Sequence, residues 1–177
     1  HTTMSDGTDL PEEIVKKAKK KGLSVISITD HETVSGIGIA MEAGKKHGVT
    51  VISGVEISAK YNHSEIHILG FDINYNDYDL LKLLSVRRKS KTKRAKKIIS
   101  NLRKHGFDVS YSELKELSDE TINRSHIADI MVRKGYAKDF DDAFYNYLVK
   151  GKPGFYEGEY LPLKEIVRVI KKAGGIV

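Results

Sequence analysis

The chain contains no cysteine among its 177 residues. Disulfides and thiolate metal sites are therefore excluded, and a bound metal must be held by His, Asp and Glu. No apolar run reaches the roughly 18 residues of a membrane span, and no signal-peptide pattern is present, so we expect a cytoplasmic protein. The length favours one domain with room for an insertion, and 40% hydrophobic residues can form a sizeable core.

Acidic residues are absent from segment 87–97, which holds eight Lys and Arg residues. Removing these eight charges from the net charge of +6 leaves −2, so the basicity of the chain is local. A run of this kind forms either a solvated helix face or a surface for phosphate groups. Both interpretations stay open.

Apolar strands alternate with helices in the first 70 residues. We predict helices from Pro11 to Gly22 and from Ser35 to His47, and strands at 23–28, 49–52 and 65–71. We expect the first strand to be buried on both faces. A helix between consecutive strands is typical of a parallel sheet or barrel, which delivers polar residues from several strand ends to one rim.

Helical patterns dominate the middle of the chain, and the run Gly151-Lys152-Pro153-Gly154 marks a boundary after them. We therefore predict an α/β frame at 1–76, a helical insertion at 77–154, and the resumed frame at 155–177. Both ends fall inside sequence patterns, so we expect this chain to be a fragment of a longer protein.

Five side chains of metal-ligand type lie in or near the predicted strands and the first loop: His1, Asp6, His31, Glu56 and His67. Imidazole and carboxylate together suit Zn, Mn or Fe. A carboxylate such as Glu56 can bridge two metals about 4 Å apart, the spacing used for in-line attack on phosphorus. The pattern alone leaves a metal site and ordinary polar side chains equally open.

Four motifs resemble, in order and spacing, those of the PHP (polymerase and histidinol phosphatase) domain. They are His1-Thr2-Thr3-Met4-Ser5-Asp6-Gly7, Thr29-Asp30-His31, Gly54-Val55-Glu56-Ile57-Ser58 and Glu65-Ile66-His67-Ile68-Leu69-Gly70. The resemblance covers essentially the whole chain. It implies an α/β fold, a distorted (β/α)7 barrel with a mostly helical insertion subdomain, and a site of two or three divalent ions (Mn, Zn or Fe).

The resemblance also implies three metal-binding pairs: His1 with Glu56, Glu56 with His67, and Asp6 with His31. Asp6, His31 and Glu56 would be the catalytic residues, and a metal-bound hydroxide would be the nucleophile. Three divalent ions outweigh two carboxylates, and the surplus positive charge attracts a phosphate dianion. Asp30 is not a direct ligand in this pattern, and we expect it to support the ligands.

The insertion is similar to that of one PHP branch, which hydrolyses nucleoside 3′,5′-bisphosphates and trims RNA 5′ ends. The segments that carry this similarity are Asn123-Arg124-Ser125-His126-Ile127-Ala128, Ala143-Phe144, Tyr147-Leu148 and Gly151-Lys152-Pro153. By this similarity Arg124 and His126 bind substrate phosphate, for which the bidentate guanidinium is well suited. Capping of the helix that starts near Ser125 is the alternative role for His126.

Three elements of the family pattern are missing: a histidine two positions before His1, a later Leu-Ala-His-Pro-type motif and a final Asp-x-His. We therefore expect the chain, taken as a bare fragment, to bind metal weakly and to lack useful activity.

The predicted function is a metal-dependent phosphoesterase, a hydrolase of nucleotides or short RNA. Histidinol-phosphate phosphatase, a polymerase proofreading domain and a non-catalytic RNA-binding module that uses segment 87–97 are the alternatives. No membrane contact and no protein partner can be inferred.

The remaining histidines have simpler interpretations. His47 and His105 directly precede glycines at predicted helix ends, where they can bind terminal carbonyls. We expect His63 to be solvated in a polar loop. We expect Glu65 to face solvent on the opposite side of the strand from His67.

Overall fold

The computed structural model describes residues 1–62, 64–118 and 120–177. The chain forms two compact units, of which the first comprises His1–Arg87 with Tyr160–Val177 and the second comprises Arg88–Glu159. Within the described residues, no helix combines the length and the apolar character needed to cross a membrane.

The described elements alternate at first and then become helical. In chain order they are α1 (Pro11–Lys20), β1 (Val25–Ile28), α2 (Gly36–His47), β2 (Thr50–Tyr61), β3 (Ser64–Phe71), α3 (Tyr78–Lys104), α4 (Tyr111–Leu117), α5 (Arg124–Arg133), α6 (Phe140–Ala143), a π-helical turn (Phe144–Leu148) and α7 (Leu163–Lys172).

The first unit contains a three-stranded sheet with strand order β1-β2-β3. β1 pairs in parallel with the first part of β2, and the rest of β2 pairs antiparallel with β3. The predicted α/β class and the parallel β1-α2-β2 unit are confirmed. The (β/α)7 barrel is not confirmed, because the described residues form three strands.

Two details of the predicted strands are wrong. The first strand is not buried on both faces, since Leu23 is 49% and Val25 is 51% exposed. β1 lies at the edge of the described sheet and receives less cover than a central strand. The second strand continues to Tyr61, because β2 gains β3 as a new partner from Gly54 onward.

Each unit has its own hydrophobic core. In the first unit, Val15 and Ala18 of α1 pack with Ile28 and Ala40 in one cluster, while α7 contributes to a second cluster beneath β2. In the second unit, one cluster joins α3, α4 and α5. The two clusters of the first unit therefore cover its sheet, and the second includes Val34 in the loop after β1.

Candidate metal centre

Asp30 anchors the loop that carries His1 and Asp6. Its carboxylate accepts hydrogen bonds from the Thr2 backbone N–H at 2.6 Å, the Thr2 hydroxyl at 2.7 Å and the Ser5 hydroxyl at 2.6 Å. The Asp30 side chain is only 1% exposed. Three hydrogen bonds to one buried carboxylate fix the loop against the end of β1, which agrees with the predicted supporting role.

The backbone places His31 directly opposite Glu56. The Glu56 N–H donates to the Asp30 carbonyl at 3.0 Å, and the Glu32 N–H donates to the Glu56 carbonyl at 2.8 Å. His31 and Glu56 therefore form a parallel bridge beyond the last regular pair of β1 and β2. The side chains follow, with His31 Nδ1 3.8 Å from Glu56 Oε1.

The two carboxylate oxygens of Glu56 face different histidines. Oε2 lies 3.1 Å from His1 Nε2, and Oε1 contacts His67 Nδ1. One carboxylate thus sits between imidazoles that come from the first loop and from β3. This is the arrangement in which a carboxylate can bridge two metal ions.

Asp6 completes the group. Its Oδ2 lies 4.0 Å from His31 Nε2, and its Oδ1 lies 3.9 Å from His1 Nδ1. The rings of His1 and His31 are stacked with centroids 4.5 Å apart, and the His67 ring stands edge-on to His31 at 5.0 Å. All five predicted ligand residues therefore lie together in the first unit.

The close contacts shift two pKa values in opposite directions. The hydrogen bond to Glu56 raises the pKa of His1 above its ordinary value, against the effect of partial burial. Burial favours the neutral form of Glu56, but hydrogen bonds from His1 and His67 outweigh it and lower the pKa of this carboxyl. Without a metal, the pair therefore favours imidazolium and carboxylate.

The donor set fits a divalent metal. His1, His31 and Glu56 each offer one ligand atom, and these atoms lie within 4.8 Å of one another. Ligands at about 2.1 Å from a common ion are separated by at most about 4.2 Å, so small side-chain movements bring them to binding distance. Imidazole nitrogen with carboxylate oxygen is a borderline donor set of the kind that Zn, Mn and Fe accept.

A family model for the PHP domain matches residues 1–172 of this sequence. The chain belongs to the PHP domain family. The family resemblance of the four sequence motifs is thereby confirmed.

Relatives of known activity match nearly the whole chain. A 5′-3′ exoribonuclease of Haemophilus influenzae is 35% identical over 176 residues, which are 99% of this chain and 64% of that protein. A 3′,5′-nucleoside bisphosphate phosphatase of Chromobacterium violaceum is 29% identical over 178 residues, 99% of this chain and 62% of that protein. The chain thus spans less than two thirds of the length of these relatives.

A solved structure shares the fold. An amidohydrolase of Chromobacterium violaceum, with bound sulfate and no metal, superimposes with a TM-score of 0.95 at 29% identity. The match covers 99% of this chain and 63% of that one.

Arg124 and His126 lie at the start of α5 in the second unit of this PHP domain. His126 Nδ1 accepts a hydrogen bond from the Asn123 N–H at 3.1 Å, so the capping contact is present and occupies this nitrogen. The Arg124 guanidinium lies 5.0 Å from the centre of the Phe144 ring. The five metal-ligand candidates belong to the first unit.

The predictions for the other histidines and for Glu65 fare differently. His105 Nδ1 contacts the Asn101 carbonyl at 2.9 Å, as predicted for a helix end. Glu65 was expected on the opposite side of the strand, which is wrong: its Oε1 lies 4.0 Å from His67 Nε2. Residues two positions apart on a strand share a face. His63 lies outside the described residues.

Segment 87–97 is partly engaged in internal contacts. Within the second unit, Lys91 donates to Asn123 at 2.6 Å, Lys93 pairs with Glu159 at 2.5 Å, and Arg94 donates to the Tyr156 carbonyl at 3.2 Å. Lys89, Lys96 and Lys97 are exposed. The segment is therefore neither a fully solvated face nor a continuous basic surface.

Two residues near the centre were missed by the sequence analysis. Glu32, directly after His31, is fully buried, and Arg87 is 3% exposed with its guanidinium 3.9 Å from the Glu32 carboxylate. The position of Glu32 beside a candidate ligand was the available signal. Arg87 was hidden because its charge was counted as part of the basic run.

Proposed function

We propose that the complete protein is a metal-dependent phosphoesterase that hydrolyses 3′,5′-nucleoside bisphosphates or the 5′ ends of short RNA. The observation that carries this proposal is the Glu56 carboxylate, whose two oxygens face His1 and His67 separately. A carboxylate in this position can hold two metal ions at the spacing used for reactions at phosphorus. Both relatives described above act on phosphate esters of nucleotides or RNA, as their names state.

In this proposal His1 and Glu56 would hold one ion, Glu56 and His67 would hold a second, and Asp6 and His31 would hold a third. Mn, Zn or Fe ions suit these donors and supply Lewis acidity and activation of water. Asp30 keeps the loop of His1 and Asp6 in place through its three hydrogen bonds. Asp6, His31 and Glu56 are the catalytic residues, and the first unit forms part of a (β/α)7 barrel.

The substrate phosphate is bound by Arg124 and His126 of the helical insertion. Arg124 begins α5, where backbone N–H groups also point outward from the helix and favour an anion. The related Chromobacterium violaceum structure holds a bound sulfate, which is a tetrahedral oxyanion. A phosphate ester presents the same tetrahedral oxygen geometry and negative charge.

A substrate panel with the complete protein and Mn²⁺ tests the proposal. We expect turnover of 3′-phosphoadenosine 5′-phosphate or of 5′-monophosphorylated oligoribonucleotides to exceed that of histidinol phosphate. The variant His31→Ala should reduce turnover at least about 100-fold, since it removes a metal ligand, while His105→Ala at the end of α3 serves as the control. Equal turnover in His31→Ala and wild type would refute the proposal.

A non-catalytic RNA-binding module is the second candidate, because Lys89, Lys96 and Lys97 are exposed. It requires RNA binding without metal and with a steep salt dependence. Replacing these three lysines with Gln should abolish function under this hypothesis and leave mononucleotide turnover unchanged under the phosphoesterase proposal. The same variants therefore separate the two functions.

A further inference from the structure

Glu32 is a buried charged residue with an unusual backbone conformation. Its φ angle is +49°, in the left-handed region that side-chain-bearing residues seldom adopt. The residue is 0% exposed. A conformation of this kind persists only where the surroundings hold it, and such positions cluster at functional sites.

The Glu32 carboxylate extends the parallel ladder at the point where the chain leaves the sheet. After the two backbone hydrogen bonds that flank His31, the next rung of a parallel ladder would join the Ser58 N–H to the Glu32 carbonyl. Instead, the Ser58 N–H donates to Glu32 Oε1 at 2.9 Å. The side chain thus replaces its own backbone carbonyl and keeps this turn attached to β2.

Arg87 compensates the charge of this carboxylate. Its guanidinium nitrogen Nη2 lies 3.9 Å from Glu32 Oε1, and both side chains are almost completely buried. The guanidinium carbon also lies 5.3 Å from the centre of the Tyr160 ring. A buried carboxylate is tolerated when it is paired and hydrogen-bonded, and Glu32 has both kinds of partner.

We propose that Glu32 and Arg87 are positioning residues, which hold His31 in its bridge position opposite Glu56, from which its Nε2 lies 4.0 Å from Asp6 Oδ2. This inference rests on the proposed metal centre. The backbone is fixed to β2 on both sides of His31. On the N-terminal side the Asp30 carbonyl accepts a hydrogen bond from β2, and on the C-terminal side the N–H and the carboxylate of Glu32 bind β2. Glu32 acts through this backbone and through its second carboxylate oxygen, Oε2, which lies 4.0 Å from His31 Nδ1. The Arg87 guanidinium faces Oε1 and holds the carboxylate in place.

A Co²⁺ titration of the complete, metal-free protein tests the inference by absorption spectroscopy. Glu32→Gln retains an oxygen for the Ser58 N–H but removes the charge that faces Arg87. We expect this variant and Arg87→Met to weaken Co²⁺ binding about 10- to 100-fold and to alter the Co²⁺ spectrum, as is typical when groups behind metal ligands are changed. Arg87→Lys should retain part of the affinity because it keeps the charge.

Glu113→Gln provides a matched control. Glu113 pairs with Lys134 at 2.7 Å and accepts a hydrogen bond from the Ser110 N–H at 2.8 Å. The same atoms are therefore changed in the second unit, whereas the metal-ligand candidates belong to the first. This variant should bind Co²⁺ like the wild type, with the same spectrum. If a single variant does not fold, Glu32→Gln/Arg87→Met, which removes both charges together, is titrated in its place and the same results decide.

Wild-type Co²⁺ affinity and an unchanged spectrum in the folded variants would overturn the inference and assign the pair to fold stability alone. A wild-type protein that binds no Co²⁺ would overturn the metal centre as well. The two failures are therefore distinguished by the wild-type titration.

Discussion

Asp30 binds Thr2 through both of its carboxylate oxygens. Oδ1 accepts the Thr2 backbone N–H at 2.6 Å, and Oδ2 accepts the Thr2 hydroxyl at 2.7 Å. The first loop is thereby tied to the end of β1, where His31 follows. The relative positions of His1 and His31 depend on this contact.

Replacing Asp30 by Ala should lower the free energy of unfolding by about 3 kcal/mol, because three buried donors lose their acceptor. It should also weaken metal binding, because the loop of His1 and Asp6 is released. Urea denaturation and Mn²⁺ titration measure the two effects. Asp9→Ala is the control, since Asp9 pairs with Lys17, whose side chain is 61% exposed, and should change stability by less than about 1 kcal/mol. Equal stability of the two variants would contradict the role of Asp30.

Metal affinity should fall as the pH is lowered. The pKa of His1 is raised by its hydrogen bond to Glu56, and the imidazole must lose its proton before it can bind a metal. In the metal-free protein the contact between His1 and Glu56 stabilises the fold below pH 6.5, and this stabilisation is lost as the pH rises through the raised pKa of His1. A bound metal instead favours the neutral imidazole of His1.

We therefore expect the metal affinity to rise by up to about tenfold per pH unit below the pKa of His1. The metal-induced increase in Tm should grow accordingly between pH 6 and pH 8. Thermal denaturation with and without Mn²⁺ at each pH measures it. In His1→Ala this component of the pH dependence should disappear, and a variant that retains the full dependence would exclude His1 as its source.

Gly54 lies where β1 and β2 approach each other closely. A Cβ at this position would be 2.5 Å from the Ser27 hydroxyl oxygen and 2.8 Å from the Ile28 carbonyl oxygen. Gly54→Ala should therefore destabilise the protein by about 1 to 3 kcal/mol.

Gly38→Ala is the matched control, because its Cβ would meet no atom within 4 Å. It lies in α2, where Ala stabilises relative to Gly by about 0.5 to 1 kcal/mol. Denaturation of both variants by urea should give opposite signs. An unchanged free energy of unfolding in Gly54→Ala would mean that β1 and β2 can move apart at this position without loss of stability.

Arg124→Ala should raise KM for a nucleotide bisphosphate about tenfold or more with a smaller effect on kcat, because it removes the charged phosphate contact that the proposed function assigns to Arg124. Arg124→Lys should recover only part of the loss, since an ammonium group cannot bind in the bidentate manner. Arg133→Ala, at the opposite end of α5, is the control. Steady-state kinetics with equal KM in the two alanine variants would exclude Arg124 from substrate binding.

The sequence was most informative where chemistry and local pattern coincide. The spacing of His1, His31, Glu56 and His67 indicated residues that meet at one site, and the structure brings them together. The limits of α2 followed from its apolar pattern and from Gly48, which ends the helix with a φ of +65°. These features depend on a few neighbouring residues.

Features that depend on distant contacts were not predictable. The exposure of Val25 follows from the edge position of β1, which is a property of strand order. The length of β2 depends on its exchange of one partner strand for another. The burial of Arg87 depends on Glu32, which is remote in sequence, so a basic run alone could not reveal it.

The most direct test of the metal centre is the binding of Mn²⁺ to Glu56→Ala, measured by isothermal titration calorimetry of the complete protein. Glu42→Ala is the control, because the Glu42 side chain is 74% exposed and remote from these ligands in sequence. We predict that the wild type and Glu42→Ala bind Mn²⁺ alike, while Glu56→Ala binds it at least about 100-fold more weakly, since the proposed function assigns Glu56 to two ions. Equal Mn²⁺ affinity in Glu56→Ala and the wild type would contradict the account.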